Sequence, residues 1–530
     1  MPQDQVTLIN ALQDPALFDH YVGDIRLIET HISWVILTGE FVYKIKKAVN
    51  FGFLDFSTLE KRHFYCEEEV RLNRRFAPGL YLDVVAVRGG AEHPSLQRDG
   101  RPIEYAVRMR QFSQHALLSA MASCHGVTPE HIDEIAGLVA AMHARAAVAG
   151  ASAQYGQPRD IHHWVMENFV HIRTAPMDSN RREQLDQLER WCQREFQIKE
   201  SVIQSRKTDG FVRECHGDLH LGNLALIDGR ITPFDCIEFN PHLRWIDVMS
   251  EIAFLVMDLQ DRGYPELAYR FLNALLQQTG DYAGVRMLRY YLVYRALVRA
   301  KVAALRLNQA AKSAETEDAA WTEYESYVQL ASSYAGSVNP ALIITHGVSG
   351  TGKSWVASRL AVSLGAIQVR SDVERKRLFG YRLDAKTGSG VQTGIYTAEA
   401  GLQTYAHLAD LARWLIEGGY TVIVDAAFLR HNERARFRLL AGKLGVPFVL
   451  LNFSADKETL RKRIRVRQSS GRDPSEAGID VLEAQLRSQE PLVFDEREHA
   501  VAVETSRDSS VDDLAARIIV KTRPVRNVQD

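Results

Sequence analysis

One segment limits what this chain can fold into more than any other: residues 347–354, which read GVSGTGKS and fit the pattern GxxxxGK[ST] at every fixed position. A short apolar stretch, 341–345, precedes this segment, and a helical pattern follows it. Glycines in such a loop let backbone N–H groups converge on phosphate oxygens, and the following helix N-terminus adds partial positive charge. The sequence therefore predicts a phosphate-binding loop between a strand and a helix.

The loop residues divide into backbone and side-chain contacts. Lys353 is expected to reach the β- and γ-phosphates of ATP, and Ser354 to hold Mg²⁺. The full set of predicted nucleotide contacts in the loop is Gly347, Ser349, Gly350, Thr351, Gly352, Lys353 and Ser354.

Two carboxylates follow predicted strands of the same region. Asp425 ends the apolar strand 421–424 and is predicted to join the Mg²⁺ shell, with a helix N-cap as the alternative. Asp372 is predicted to end another strand at the γ-phosphate edge of the sheet, where it would accept the proton of a substrate hydroxyl. Its alternative is an N-cap for a helix over 373–379. Both positions belong to an alternating strand–helix pattern, which is typical of a parallel sheet covered by helices.

The segment 461–472 contains six Lys and Arg residues and no acidic residue. Beside a phosphate-binding loop, it is interpreted as a lid whose arginines neutralise the transferring phosphoryl group. Arg463 and Arg467 are the lid candidates because they are four residues apart and share a helix face. A nucleic-acid patch and a solvated basic face are the alternatives. The polar segment 384–397, which includes Tyr396, is a candidate substrate loop.

A second catalytic pattern lies in the first half of the chain, at residues 216–223, which read HGDLHLGN. A short hairpin follows it and leads to Asp235. This layout is that of a protein-kinase-like catalytic loop. Asp218 would orient or deprotonate an acceptor hydroxyl, whereas Asn223 and Asp235 would ligate Mg²⁺. Asp247 is predicted to hydrogen-bond the loop.

The N-terminal strands are predicted to complete this second site. The strand 41–45 places Lys44 where a lysine would contact the α- and β-phosphates, with Lys46 as the alternative. A glutamate from the helix predicted over 58–76 should pair with that lysine. Among the three consecutive glutamates at 67–69, Glu68 is favoured.

Composition limits the classes of function. The 530-residue chain has 64 Lys and Arg against 66 Asp and Glu, a net charge of −2, which disfavours a chain-wide nucleic-acid surface. No apolar run reaches the ~18 residues of a membrane span, and the N-terminus lacks the layout of a secretory signal. The five cysteines form no CxxC pattern. These features predict a cytoplasmic protein without a membrane partner.

Both patterns resemble known kinase families. Residues 340–522 resemble the P-loop kinases that include gluconate kinases, chloramphenicol phosphotransferase, polynucleotide kinase and zeta toxins. This resemblance implies an α/β P-loop NTPase domain with a parallel sheet over residues 338–530. Residues 20–335 resemble the aminoglycoside phosphotransferase family, through HGDLHLGN and Asp235. That resemblance implies an α+β protein-kinase-like domain over residues 1–337, although no GxGxxG precedes the lysine strand. The whole chain resembles bacterial fusions of these two domains.

The expected function is that of a bifunctional kinase with two Mg·ATP sites, each transferring the γ-phosphate to a hydroxyl of a small molecule. The sequence does not identify either acceptor. One alternative has a single active site, with the other domain binding nucleotide for regulation. Another is a toxin-like or RNA-end kinase, for which nucleic acid would be the partner. The near-neutral charge of the chain disfavours the latter.

Overall fold

The computed structural model describes residues 3–52, 54–97, 99–307, 314–389, 393–470, 475–506 and 510–522. Its backbone contacts divide the chain into two units. Unit 1 comprises Met1–His131, Ala141–Trp164 and Glu200–Asp258, and unit 2 comprises Ile132–Ala140, Val165–Lys199 and Leu259–Asp530. The helices between residues 259 and 335 fall in unit 2. The sequence domains 1–337 and 338–530 stay a prediction.

Strands and helices alternate irregularly over the first 335 residues. The strands are β1 (Arg26–Glu29), β2 (Ser33–Leu37), β3 (Phe41–Lys46), β4 (Tyr81–Gly89), β5 (Pro94–Ser95), β6 (Pro102–Arg110), β7 (Val212–Glu214), β8 (Leu224–Ile227), β9 (Arg230–Pro233) and β10 (Trp245–Asp247). The helices are α1 (Gln3–Ala11), α2 (Leu59–Asn73), α3 (Leu118–Ser123), α4 (Pro129–Arg145), α5 (Pro158–Ile172), α6 (Ser179–Thr208), α7 (Pro241–Arg244), α8 (Val248–Asp261), α9 (Pro265–Thr279), α10 (Val285–Leu307) and α11 (Ala314–Ala335).

In unit 1, an antiparallel sheet has the strand order β1-β2-β3-β6-β4-β5. Alternate side chains of β3 point to opposite faces. Tyr43 and Ile45 join an apolar cluster with Leu8 and Leu12, whereas Val42 packs with Val70 of α2. The face that packs on α2 is therefore also the face that carries Lys44. An antiparallel sheet with α1 packed on one face and α2 on the other, followed by mostly helical structure, confirms the predicted α+β class.

The remaining elements form the second half of unit 2. The strands are β11 (Leu342–His346), β12 (Ile367–Arg370), β13 (Val422–Asp425), β14 (Phe448–Ser454) and β15 (Ala500–Glu504). The helices are α12 (Lys353–Ser363), α13 (Ser371–Leu378), α14 (Ala398–Glu417), α15 (His431–Leu444), α16 (Lys457–Ser470), α17 (Ile479–Ser488), α18 (Phe494–Arg497) and α19 (Val511–Thr522).

These five strands form a parallel sheet in the order β12-β13-β11-β14-β15. Apolar residues of α12 and α19 pack on one face, where Ile343, Leu360 and Ile518 are almost fully buried. Because all strands run in one direction, their carboxyl ends meet at a single edge, where ligands bind in open sheets of this type. The predicted α/β class of this region is confirmed.

The edge strand β12 is covered by helix α9. Asn273 donates a hydrogen bond to the carbonyl of Ala366 at 3.0 Å and accepts one from the N–H of Gln368 at 2.7 Å. One amide side chain thus satisfies two backbone groups at the open edge of the strand. Among the described helices, none has the length and apolar character that a membrane span requires.

Candidate active sites

The predicted catalytic loop of unit 1 lies between β7 and β8. The side-chain amide of Asn223 donates to the backbone carbonyl and to Oδ2 of Asp218, both at 2.9 Å. The structure therefore brings the predicted base and one predicted metal ligand into direct contact. Gly217 has a φ of +89°, and a Cβ on it would lie 2.7 Å from the carbonyl oxygen of Leu243. The turn that presents Asp218 therefore requires glycine.

Two buried carboxylates of α8 hold this loop, and the sequence interpretation missed both. Glu251 accepts hydrogen bonds from the N–H groups of His216 and Gly217 at 2.6 and 2.8 Å, and Asp258 accepts one from Leu221 at 2.8 Å. Burial works to raise the pKa of Glu251, but a hydrogen bond from His143 and the nearby histidines lower it to about 2. Both carboxylates fix the backbone of the catalytic loop.

The hydrogen bond predicted between Asp247 and this loop stays a prediction. Asp247 pairs with Arg206 through two hydrogen bonds of 2.6 and 2.7 Å. The sequence contained a signal for Glu251 and Asp258, the two carboxylates that hold the loop backbone. Glu251 and Asp258 are seven residues apart in a helix whose other residues are largely apolar, so both lie on one buried face.

Lys44 is the lysine of unit 1 that contacts a predicted metal ligand. Its Nζ lies 2.8 Å from Oε1 of Glu69 and 2.5 Å from Oδ1 of Asp235. Lys46 is fully buried, whereas 13% of the Lys44 side chain is exposed. Because Lys44 contacts the predicted metal ligand and remains accessible, the geometry favours it over Lys46 for contact with a nucleotide.

The prediction that Glu68 pairs with Lys44 is wrong, because the partner is Glu69. Successive residues of a helix point about 100° apart, and α2 directs Glu69 into the sheet. Glu68 instead pairs with Arg71 at 2.7 Å and lies 3.4 Å from Arg244. Burial alone would lower the pKa of Lys44, but Asp235 and Glu69 raise it well above its usual value.

Asp235 has an unusual backbone conformation for a residue that is not glycine. Its φ is +62°, and its N–H donates to the hydroxyl of Tyr81 at 3.0 Å. Aspartate tolerates the left-handed region better than most residues, and such conformations concentrate at functional sites. The position after β9 is thus shaped to direct this carboxylate toward Lys44.

In unit 2, the phosphate-binding loop joins β11 to α12 as predicted. Gly347, Gly350 and Gly352 have φ values of +147°, +87° and +82°. A Cβ on Gly350 would lie 3.0 Å from the carbonyl oxygen of Leu460. Helix α12 has Gly352 as its N-cap and receives no side-chain cap from the described residues. Its first N–H groups therefore suit an anion, which fits the phosphates of ATP.

Lys353 folds back onto its own loop. Its Nζ donates to the carbonyl of Val348 at 2.9 Å and lies 3.5 Å from the hydroxyl of Thr351. Burial lowers the pKa of Lys353 to about 8, and Asp425 and Asp372 oppose this shift. The hydroxyl of Thr351 also donates to Val348, at 2.7 Å.

The predicted metal ligands of unit 2, Ser354 and Asp425, line the same cavity. Gln368 donates to Oδ2 of Asp425 at 3.0 Å. Burial raises the pKa of Asp425, although Arg370 and the hydroxyl of Ser354 work to lower it. A hydroxyl and a carboxylate are oxygen donors of the kind that Mg²⁺ prefers, so this pair fits the ion.

Asp372 does not end a strand, contrary to the prediction. Strand β12 ends at Arg370, which is also the N-cap of α13, so Asp372 lies in the first helical turn and is not the N-cap of the helix. Helix α13 begins two residues earlier than predicted. The carboxylate still lines the cavity at the carboxyl edge of the sheet, because the first turn of α13 follows directly on β12.

One cavity of about 440 Å³ brings most predicted residues of unit 2 together. Those that line it are Ser349, Gly350, Gly352, Lys353, Ser354, Asp372, Asp425, Arg463 and Arg467, whereas Gly347 and Thr351 shape the loop without lining the cavity. The volume lies within the range of small-molecule sites. Gln485 of α17, which the sequence interpretation missed, also lines the cavity and accepts a hydrogen bond from the N–H of Ser349 at 2.7 Å.

The two lid candidates make different contacts. Arg463 donates to the hydroxyl of Thr505 at 2.8 Å and lies 3.4 Å from the carbonyl of Gly350, so it braces the phosphate-binding loop. Arg467 donates to the carbonyl of Ala477 at 2.6 Å. Both arginines lie on α16. Residues 471–474, and with them the end of the predicted basic segment, lie outside the described residues.

The candidate substrate loop contacts the segment that follows the lid. Glu476 accepts hydrogen bonds from the N–H and the hydroxyl of Thr387, each at 3.0 Å. Tyr396 lines the cavity, and its ring lies 5.0 Å from the guanidinium of Arg375. Residues 390–392 of this predicted loop lie outside the described residues.

The chain is similar to known proteins in the region of its phosphate-binding loop and over most of its length. A family model described as an AAA domain matches residues 342–492. Three uncharacterized proteins, one from Mycobacterium bovis and two from strains of Mycobacterium tuberculosis, are 28% identical over 450 residues, which cover 85% of this chain and 87% of each relative. A match of this length exceeds either predicted domain, so these relatives contain at least part of both.

Two solved structures illustrate the similarities of the separate regions. A choline/ethanolamine kinase family protein from Mesorhizobium loti is 11% identical, covers 62% of this chain and 99% of its own, and has a TM-score of 0.36. A gluconokinase from Sinorhizobium meliloti is 18% identical, covers 35% of this chain and 100% of its own, and has a TM-score of 0.25. Because both TM-scores are low, the fold of this chain is assigned from its own strand order and register.

Proposed function

We propose that the chain is a kinase with two Mg·ATP sites, one in each unit, and that each site transfers the γ-phosphate to a hydroxyl of a small molecule. The observation that carries this proposal is the presence, in both units, of a lysine close to a predicted metal ligand and an aspartate suited to act as a base. In unit 1 these residues are Lys44, Asp235 and Asp218, and in unit 2 they are Lys353, Asp425 and Asp372.

Phosphoryl transfer requires positioning and neutralisation of charge more than covalent chemistry by the protein. Asp218 and Asp372 would each accept the proton of the acceptor hydroxyl as its oxygen attacks phosphorus. Lys44 and Lys353 would neutralise phosphate charge, as would Arg463 and Arg467 in unit 2. Mg²⁺, held by Asn223 and Asp235 in one site and by Ser354 and Asp425 in the other, would supply the remaining neutralisation.

Contacts within unit 2 favour a small-molecule acceptor over nucleic acid. Arg463 and Arg467 of the basic segment point to the loop and the cavity, and Arg461 pairs with Glu483 at 2.6 Å. A nucleic-acid groove would instead present a continuous row of unpaired cations. The cavity volume of about 440 Å³ also suits a metabolite-sized ligand.

The test uses Asp218→Asn and Asp372→Asn, each in the full chain. The wild type and both variants are incubated with Mg·ATP and a bacterial small-molecule extract, and new phosphorylated masses are measured by mass spectrometry. Each variant should form a different one of the products more slowly. The rate should fall by ~10²–10⁴-fold, which is the usual contribution of a general base.

The matched control variants replace exposed aspartates in the same units. Asp228→Asn changes the turn between β8 and β9, and Asp410→Asn changes the outer face of α14; both should form all products at the wild-type rate. If one substitution abolishes every product while both sites still bind ATP, only one site is catalytic and the other regulates. Phosphate transfer to RNA ends alone would favour the nucleic-acid alternative.

A further inference from the structure

A second lysine of unit 1, Lys46, shares the carboxylate partner Glu69 with Lys44. Lys46 follows Lys44 by two residues on β3, so both ammonium groups are on the face of the sheet that packs on α2. The side chain of Lys46 has no exposed surface. An ammonium group in such a place is stable only with carboxylate partners, because an unpaired buried charge is costly.

Five side chains of alternating charge follow one another across this face. Glu69 is in the middle, with Oε1 2.8 Å from Nζ of Lys44 and Oε2 2.7 Å from Nζ of Lys46. At the ends, Lys44 pairs with Asp235 and Lys46 pairs with Glu238. Asp235 and Glu238 are three residues apart in the segment after β9, so the ion pairs and the backbone close a ring.

The ring restricts Glu69. Each of its carboxylate oxygens serves one lysine, so a rotation of Glu69 would leave both lysines with one partner fewer. Burial works to raise the pKa of Glu69, but Lys44 and Lys46 lower it to about 2, so the group stays ionised at neutral pH. Burial also raises the pKa of Glu238, although Lys46 counteracts this. Lys46 and Glu238 form the inner pair of the ring, and the ionised state of Glu238 depends on the charge of Lys46.

We propose that Lys46 and Glu238 are positioning residues of the unit 1 kinase site, which fix Glu69 on α2 and through it hold Lys44 in place for the nucleotide phosphates. Without Glu69, Lys44 would have Asp235 as its remaining carboxylate partner, and Asp235 is the predicted metal ligand. The inner pair thus gives Lys44 an anchor that does not compete with the metal. This inference rests on the proposed function, because it assigns ATP binding to unit 1.

The test measures binding of a fluorescent ATP analogue with Mg²⁺ to the full chain carrying Lys353→Met, which silences the site of unit 2. In this background, Lys46→Met with Glu238→Gln removes one positive and one negative charge. We expect nucleotide binding to weaken by about tenfold, which corresponds to ~1.4 kcal/mol. If the chain with Lys353→Met alone binds no nucleotide, the proposed function fails for unit 1, and this inference fails with it.

A matched control separates positioning from general stability. Arg62 of α2 and Glu104 of β6 form another buried pair, with Nε 2.8 Å from Oε1. Arg62→Met with Glu104→Gln should lower the midpoint of thermal unfolding to a similar extent and leave nucleotide binding unchanged. Binding by the Lys46/Glu238 variant that equals this control overturns the inference, while the proposed function stands.

A third background tests whether the effect passes through Lys44. In a chain that already carries Lys44→Met, the Lys46/Glu238 substitutions should cause no further loss of binding, whereas an additive loss would assign them a merely structural role. If the double variant does not fold, Glu238→Gln alone leaves Lys46 paired with Glu69 and should weaken binding about threefold. Unchanged binding by that folded variant also overturns the inference.

Discussion

The lysines of the two candidate sites lie in opposite environments. Lys44 of unit 1 is surrounded by carboxylates, which raise its pKa well above the usual value. Lys353 of unit 2 donates to a backbone carbonyl, and burial lowers its pKa to about 8. Lys44 is thus held by side chains from distant segments, whereas Lys353 is held by the backbone of its own short loop. Under the proposed function, the two sites would meet the same requirement, a cation placed for phosphate, in two different ways.

The largest effects are expected when each of the two lysines is removed in turn. Lys44→Met and Lys353→Met should each lower the rate of one product by ~10²–10³-fold, the usual effect of removing one preorganised donor to a developing charge. The other product should form at the wild-type rate. Steady-state kinetics on each product, once identified by mass spectrometry, provides the measurement.

The exposed lysine Lys521 offers a matched control for both variants, because Lys521→Met removes a surface cation of α19. It should affect neither product. If Lys44→Met lowers the rates of both products equally, the two sites do not work independently. One of them is then catalytic and the other regulatory.

The two lysines should also respond differently to pH. With a pKa of about 8, Lys353 is a cation at pH 7 and loses its proton as the pH rises through 8. ATP binding at unit 2 should therefore weaken above pH 8, approaching ~10-fold per pH unit, provided that only the ammonium form binds phosphate. Lys44 keeps its proton over the same range, so binding at unit 1 should not show this decline.

The measurement titrates a fluorescent ATP analogue with Mg²⁺ at pH 7, 8 and 9. The chain with Lys44→Met reports on unit 2, and the chain with Lys353→Met reports on unit 1. Equal slopes in the two chains would contradict the assignment of opposite lysine environments.

The smallest expected effect concerns the strand that leads to Asp372. Asn273→Ala removes both hydrogen bonds to the edge of β12, and the free energy of unfolding should fall by ~1–3 kcal/mol because two backbone groups lose their partner. Glu266→Ala, an exposed position on the same helix α9, serves as the control. Urea unfolding followed by circular dichroism gives both values, and equal values would contradict the role of Asn273.

The contiguous parts of both sites could be predicted from the sequence. The phosphate-binding loop and HGDLHLGN are local patterns in which spacing fixes geometry, and Asp425 follows from a strand that ends where the sheet ends. The element that carries Asp372 was harder to predict. Helix α13 starts directly after β12, and no loop residue separates the strand from the helix. The predicted start of α13 was wrong by two residues, but Asp372 still lines the cavity.

The long-range partners could not be predicted in the same way. Three consecutive glutamates offer three directions around α2, and only the packing of that helix on the sheet selects Glu69. The partner Glu238 lies 192 residues from Lys46 in the sequence, so no local pattern links them. Glu251 and Asp258 were detectable in principle as charges in an apolar helix, but their acceptor role depends on where the catalytic loop passes.

The cover on β12 also has a consequence for how this chain can be divided. A fragment that begins at residue 338 would lack α9, and the backbone groups of Ala366 and Gln368 would face solvent. An uncovered edge strand is a template onto which another chain can add a strand, so such a fragment would tend to self-associate and precipitate. Fragments that begin before α9 would keep this protection. Helix α9, which precedes the phosphate-binding loop in the sequence, therefore protects the edge of the sheet from the addition of a foreign strand. A gene fusion that carried over the loop domain alone would lose this protection.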